Sequence, residues 1–69
     1  MEIHHLAKMA NQIAEFFAAG SEREAAVTAT AAHLRNFWEP RMRREIVEYA
    51  RGGGADLSDV ARAAVLSLG

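Results

Sequence analysis

Cysteine is absent from this sequence, which rules out a disulfide framework and a thiolate metal cage and fits a reducing compartment. Long apolar runs are missing too. Glu2, His4, His5 and Lys8 interrupt the first ten positions, so no secretory signal is expected, and no stretch approaches the roughly 20 residues of a membrane span. A cytoplasmic protein is expected on these grounds. There is no surplus of positive charge: the formal net charge is −1, and the chain as a whole has no electrostatic claim on nucleic acid. Bulky apolar residues are scarce as well. Hydrophobic residues make up 51% of the 69 positions, yet 15 of them are alanine. One small domain, spanning 1–69, is expected, with too little core to be comfortable without help from outside the chain.

What the sequence does hold is helical periodicity. Ile3, Leu6, Ala10, Ile13 and Phe17 recur at the spacing of one amphipathic stripe, and Gly20 is a natural stop. Ser21 followed by Glu24 has the pattern of a capping box, which predicts the start of a second helix there. Its stripe is Val27, Ala31, Leu34 and Trp38, and the sole proline, Pro40, ends it, because proline disfavours the helical conformation at Glu39. Proline is accepted at the first position of a new helix, so a third segment starts at the same point with Met42, Ile46 and Tyr49 on one face. Gly52 to Gly54 terminate that segment. Asp56 or Ser58 then caps a last helix presenting Leu57, Ala61, Ala64 and Leu68. Nothing reads as strand, and the expected fold is all-α, a small bundle of four short helices.

Several apolar residues fall outside these stripes. Met9 and Phe16 lie to one side of the first stripe, and the spacing of His5, Met9, Gln12 and Phe16 makes them a second, mixed line. Phe37 sits beside Trp38 rather than under it, Val47 lies off the Met42 stripe, and Leu66 points away from Leu68. Two readings stand: wide apolar faces in a small bundle, or a docking surface, since isolated domains rarely expose large contiguous apolar patches.

Chemistry-bearing constellations are sparse. His4 and His5 diverge by about 100° on a helix, and His33 has no histidine at i, i+4, so a metal site is not expected. Glu39, Glu45 and Glu48 cluster, but Arg41 with Glu45 and Arg44 with Glu48 are i, i+4 pairs, which reads as a salt-bridged solvated face. Gly52 to Gly54 lack the Lys-Ser/Thr of a phosphate loop and precede the acidic Asp56 and Asp59. No catalytic residues are expected. The rival reading is a helix–turn–helix-like nucleic-acid module using Arg41, Arg43 and Arg44, with Arg51 on the same helix. Against it, these arginines are expected to point several ways and are interleaved with glutamates.

"MANQIAEFF" at 9 to 17, "HLRNFWEPRMR" at 33 to 43, and the glycine-rich break before Leu57 and an alanine/valine-rich helix resemble the small delta subunit of cytoplasmic, NAD-dependent, molybdenum-containing formate dehydrogenases. The resemblance covers nearly the whole chain. One departure is Ser58, where family members often carry proline. The resemblance implies a noncatalytic partner that supports assembly, cofactor insertion or stability of the catalytic alpha subunit. It also implies that molybdenum-pterin, iron–sulfur clusters, FMN and NAD reside on other subunits, with no cofactor bound by this chain. On this reading "NFWEPRMRRE", residues 36 to 45, is a helix–Pro–helix corner. Trp38 and Met42 close the core there, while Phe37, Pro40 and Arg41 are presented for docking, alongside the line of His5, Met9, Gln12 and Phe16. Self-association of the isolated chain is a further expectation. No membrane or nucleic-acid partner is expected.

Overall fold

The computed structural model describes residues 2–69, and they form α1 (Ile3–Ala18), α2 (Arg23–Phe37), α3 (Pro40–Arg51) and α4 (Asp59–Leu68). Among the described residues there is no strand, and no helix is long and apolar enough to cross a membrane. The fold is therefore the expected all-α bundle, with breaks at Gly20, at Glu39-Pro40 and at Gly52 to Gly54.

The start of α1 rests on a cap that periodicity does not reveal. The Glu2 carboxylate accepts from the backbone N–H of His4 at 3.0 Å and of His5 at 3.1 Å, satisfying two donors that every helix start leaves open. The hydrogen bond from the His4 N–H is the main cause that holds the Glu2 carboxyl below its ordinary value. Along α1, Leu6, Ala7, Ala10 and Ala14 are buried. Three of these are alanines, whose small side chains let α1 lie close against α2, α3 and α4. The apolar stripe is real, but its buried centre is the alanine edge; Ile3, Ile13 and Phe17 are half-buried beside it.

The expected capping box at Ser21 and Glu24 does not form. The helix begins at Arg23, with Glu22 at the N-cap position and no side-chain cap bond. Ser21 is exposed and its N–H donates to the Ala18 carbonyl at 3.5 Å. The physical reason is that the chain must reverse direction within the short link after α1, and Ser21 is consumed by that turn. The first turn of α2 is held from outside instead. Arg23 Nε and Nη2 donate to the two Asp59 carboxylate oxygens at 2.6 and 3.1 Å, tying α2 to the start of α4.

The corner between α2 and α3 follows from Pro40. Trp38 and Glu39 adopt extended backbone, with ψ of 140° and 150°, and for Glu39 this is the conformation demanded of the residue before proline. Pro40 then occupies the first turn of α3 without sacrificing a hydrogen bond. Arg43 locks the corner: its Nη1 donates to the Arg35 carbonyl at 2.6 Å and the Trp38 carbonyl at 3.1 Å, two acceptors that the end of α2 leaves open.

At the other end of α3, Gly53 has φ of 125° and Gly54 φ of 51°, values that side-chain-bearing residues rarely adopt. Gly54 is also tightly enclosed. A Cβ there would meet Leu57 Cδ1 at 3.0 Å and Ala50 Cα at 3.1 Å, so the absence of a side chain lets Leu57 fold over the end of α3. Of the two candidate caps for α4, Ser58 is the one used, its Oγ accepting from the Ala61 N–H at 3.2 Å. Asn11 of α1 grips the same loop from the side. Its amide donates to the Asp56 carbonyl at 2.7 Å and accepts from the Ser58 N–H at 2.8 Å.

α4 touches all three other helices, whereas α2 and α3 meet hardly at all beyond their corner. This arrangement corrects two assignments made from single stripes. Val47, expected off the core, is 8% exposed, because α3 packs on α4 as well as on α1 and so needs a wider apolar face. Val65, outside the expected α4 stripe, is fully buried for the same reason. Met9, also off the first stripe, is half-buried and packs against the core.

Among the described residues two buried side-chain polar atoms lack a hydrogen-bond partner, Arg62 Nε and the Thr30 hydroxyl oxygen. Thr30 is fully buried in α2, and its hydroxyl oxygen has no hydrogen-bond partner. An unsatisfied buried hydroxyl costs on the order of 1–3 kcal/mol. Thr30→Val keeps the branched shape and removes the hydroxyl, so it is expected to raise stability by about 1 kcal/mol. The check is a urea melt, in which the midpoint rises while the slope stays unchanged; a lower midpoint would show that the hydroxyl contributes.

Candidate partner-binding surface

Phe16 and Phe37 are each 74% exposed, although both sit on well-formed helices. They are exposed for a simple reason of angle: Phe16 lies about 160° around the helix from the buried Ala14, and Phe37 precedes the buried Trp38. Two half-buried rings join them. Phe16 stacks edge-on with Phe17 at 5.2 Å between centroids, Phe17 faces His33 at 6.2 Å, and His33 lies 4.8 Å from Phe37. The result is one aromatic row running from the end of α1 across to the end of α2. Beside it, Met9, Gln12, Ile13, Phe16, Phe17 and His33 line a shallow groove of about 350 Å³. The surface is predominantly apolar and aromatic, with His33 and Gln12 as its polar members. It can bury rings and thioether against another protein, and edge-to-face aromatic pairing adds to that burial.

The residues singled out from the sequence are thus only partly gathered. Met9, Gln12 and Phe16 come together in the groove, and Phe37 joins them through His33. His5 is exposed but does not line the groove. Pro40 borders a different depression, and Arg41 is exposed, with its Nε 3.7 Å from the Glu45 carboxylate as the i, i+4 spacing suggests. Phe17, Ile13 and His33 also line the groove, although the line of spacing on α1 does not include them. The i, i+4 relation of His33 to Phe37 was available in the sequence, but the crossing to Phe17 depends on how α1 packs against α2.

The second depression, about 500 Å³, is bordered by Arg35 of α2, by Pro40, Arg43, Arg44, Val47, Glu48 and Arg51 of α3, and by Leu68 and Gly69. Arg44 and Arg51, two turns apart, share a face, while Arg43 lies about 100° from Arg44 around the helix; all three nevertheless border this depression, and Arg41 does not. The Arg44–Glu48 ion pair is not formed among the described residues.

A third cluster resembles a relay but works as a clasp. His4 Nδ1 lies 3.0 Å from Asp56 Oδ2, and the Tyr49 hydroxyl donates to the other oxygen of the same carboxylate. Both partners converge on Asp56 rather than forming a chain. The hydrogen bond to Asp56 raises Tyr49 above 10.0 and His4 above 6.5, and those from Tyr49 and then His4 lower Asp56 below 3.8. A raised phenol is the reverse of an activated one. The clasp therefore binds α1 to α3 and to the loop before α4.

Its pH dependence follows. His4 is raised, so its share of stability is complete below its unfolded value of about 6.5 and is lost as pH rises through the folded value. Asp56 is lowered, so its share is present above about 3.8 and is lost as pH falls through the folded value. The clasp is strongest between the two. An NMR titration of the His4 ring is expected to show a midpoint above 6.5 that returns toward 6.5 in Asp56→Asn; a wild-type midpoint at or below 6.5 would break the assignment.

Among the described residues no group of three or more His, Cys, Asp and Glu side chains is placed to hold a metal ion. In comparisons with known proteins, the family model described as NADH-dependent formate dehydrogenase delta subunit, FdsD, matches residues 5–65. No curated protein and no solved structure matches the chain.

Proposed function

The chain belongs to the NADH-dependent formate dehydrogenase delta subunit family, and from that premise we propose that it is a noncatalytic accessory subunit that docks on the catalytic alpha subunit. Family membership implies a formate dehydrogenase complex with other subunits. The observation that carries the docking role is the aromatic row, with Phe16 and Phe37 each 74% exposed at its two ends. Exposed aromatics gathered around a groove are the usual anchors of protein–protein contacts, and a domain with this little bulky core gains stability from covering them. Met9, Gln12, Phe16 and Phe37, with Phe17 and His33, form the centre of the contact, while His5, Pro40 and Arg41 lie at its margin.

The work assigned to this contact is assembly, cofactor insertion or stability of the alpha subunit. With no cysteine in the chain, there is no thiolate here for an iron–sulfur cluster. Molybdenum-pterin, iron–sulfur clusters, FMN and NAD are accordingly assigned to the other subunits, and formate oxidation to them. In the cytoplasm this chain acts only through protein contacts. Uncovered, the aromatic row also favours self-association of the isolated chain.

The test is co-expression with the remaining subunits, with and without this chain. The chain is expected to co-purify, and its omission to lower the molybdenum content or formate-dependent NAD reduction of the product. A complex that assembles, carries its metal and turns over equally well in its absence would remove the reading.

A further inference from the structure

Four of the chain's eight lysine and arginine residues, Arg35, Arg43, Arg44 and Arg51, surround the cleft at the ends of α2 and α4, against one carboxylate side chain, Glu48, with Gly69 also on its border. That concentration stands out in a chain of net charge −1. Arg43 is committed to the corner through its bonds to the Arg35 and Trp38 carbonyls. Arg35, Arg44 and Arg51 are exposed, and among the described residues none of them makes an ion pair. Between these cations the cleft wall is apolar, formed by Val47 and Leu68.

The shape of the charge selects the ligand. A phosphate would use the guanidinium groups alone and leave Val47 and Leu68 uncovered, and the C-terminal ends of α2 and α4 at the cleft oppose it where the N-terminal end of α3 at Pro40 favours it. Duplex nucleic acid needs a stripe of cations rather than three around a pocket that includes Glu48. A peptide meets both the charge and the apolar wall at once: carboxylates for the arginines in charge-assisted pairs and an aliphatic side chain for Val47 and Leu68. We infer that this cleft is a second docking site, which takes an acidic peptide segment of a partner protein with an aliphatic residue set between its carboxylates. It shares no lining residue with the aromatic groove and stands whether or not that groove docks on the alpha subunit.

The experiment is fluorescence anisotropy of a labelled short peptide, in which Glu and Asp alternate with Leu, titrated with the full chain. Saturable binding that weakens as salt rises is expected. Arg44→Ala and Arg51→Ala should each weaken it about tenfold, the loss typical of one hydrogen bond to a charged group. Glu48→Gln should tighten it, because it removes the one repelling carboxylate side chain; a purely structural role for Glu48 would give no such gain. Arg41→Ala, outside the cleft, and Phe16→Ser, outside it on α1, should bind as wild type does, which separates this site from the aromatic surface. Circular dichroism of each variant confirms that it is folded. The inference is overturned by absence of peptide binding up to about 1 mM, the weak end of specific affinity, or by unchanged binding in the Arg44→Ala, Arg51→Ala double variant. It is equally overturned if inorganic phosphate or an oligonucleotide displaces the peptide at matched concentration, since either result would make the cleft a general anion site or a nucleic-acid site.

Discussion

Trp38→Ala is expected to leave the chain largely unfolded at room temperature, while Phe37→Ala, one residue earlier, melts like wild type. Trp38 is 7% exposed and belongs to the main hydrophobic cluster with Leu6, Leu34, Ile46 and Val65. Truncating a buried aromatic of this size costs about 3–5 kcal/mol. At roughly 0.05–0.15 kcal/mol per residue, a chain this short has about 3–10 kcal/mol in all, and with so few bulky core residues it belongs at the low end, where the loss takes most of it. Collapse of the neighbours cannot refill the site cheaply. The side chain sits where α2 ends, and the corner there is pinned by Pro40, which constrains Glu39, and by Arg43 on the Trp38 carbonyl. Phe37 is 74% exposed and makes its ring contact with His33 at the surface, so its removal should stay within about 0.5 kcal/mol. Far-ultraviolet circular dichroism with urea melts of the two variants decides the matter. Equal midpoints would mean that the corner is not part of the core.

The break points of this fold were legible because their causes are local. Pro40 constrains Glu39 by direct contact, and Gly53 and Gly54 hold positive φ angles that hardly any other residue would take. The exposure of Phe16 and Phe37 was legible too, since it follows from helical angle alone. What went unread depends on where distant segments arrive. Ser21 has the chemistry of a cap, but the tightness of the turn after α1 decides that it is not one. Val47 and Val65 are buried because α4 lies between three helices, which no single stripe expresses. Asn11 holds a loop 45 residues away, and Arg35 joins the cleft only because the end of α2 comes alongside α3. Half of the candidate docking surface behaves the same way: Met9, Gln12 and Phe16 are a line on one helix, whereas the link from Phe17 through His33 to Phe37 exists only after α1 and α2 have packed.

That link makes the double variant Phe16→Ser, Phe37→Ser the sharpest probe of the proposed subunit role. Both rings are mostly in solvent, so the isolated chain should keep its helices and its melting behaviour. In the complex, an aromatic anchor typically contributes about 2 kcal/mol or more, equivalent to roughly thirtyfold in affinity. Each single variant is therefore expected to weaken association with the other subunits about thirtyfold. The double variant should lose more than either single one but less than their product, because the two rings are coupled through Phe17 and His33, and residues in one contact chain are not additive. Arg41→Ala offers the contrast. Its side chain is exposed and paired only with Glu45 at 3.7 Å, so as a marginal charge it should alter the salt dependence and rate of association more than the affinity. Pull-down with the remaining subunits, followed by formate-dependent NAD reduction, reads all four variants. A double variant that assembles and supports turnover like wild type would show that the aromatic row is not the docking surface.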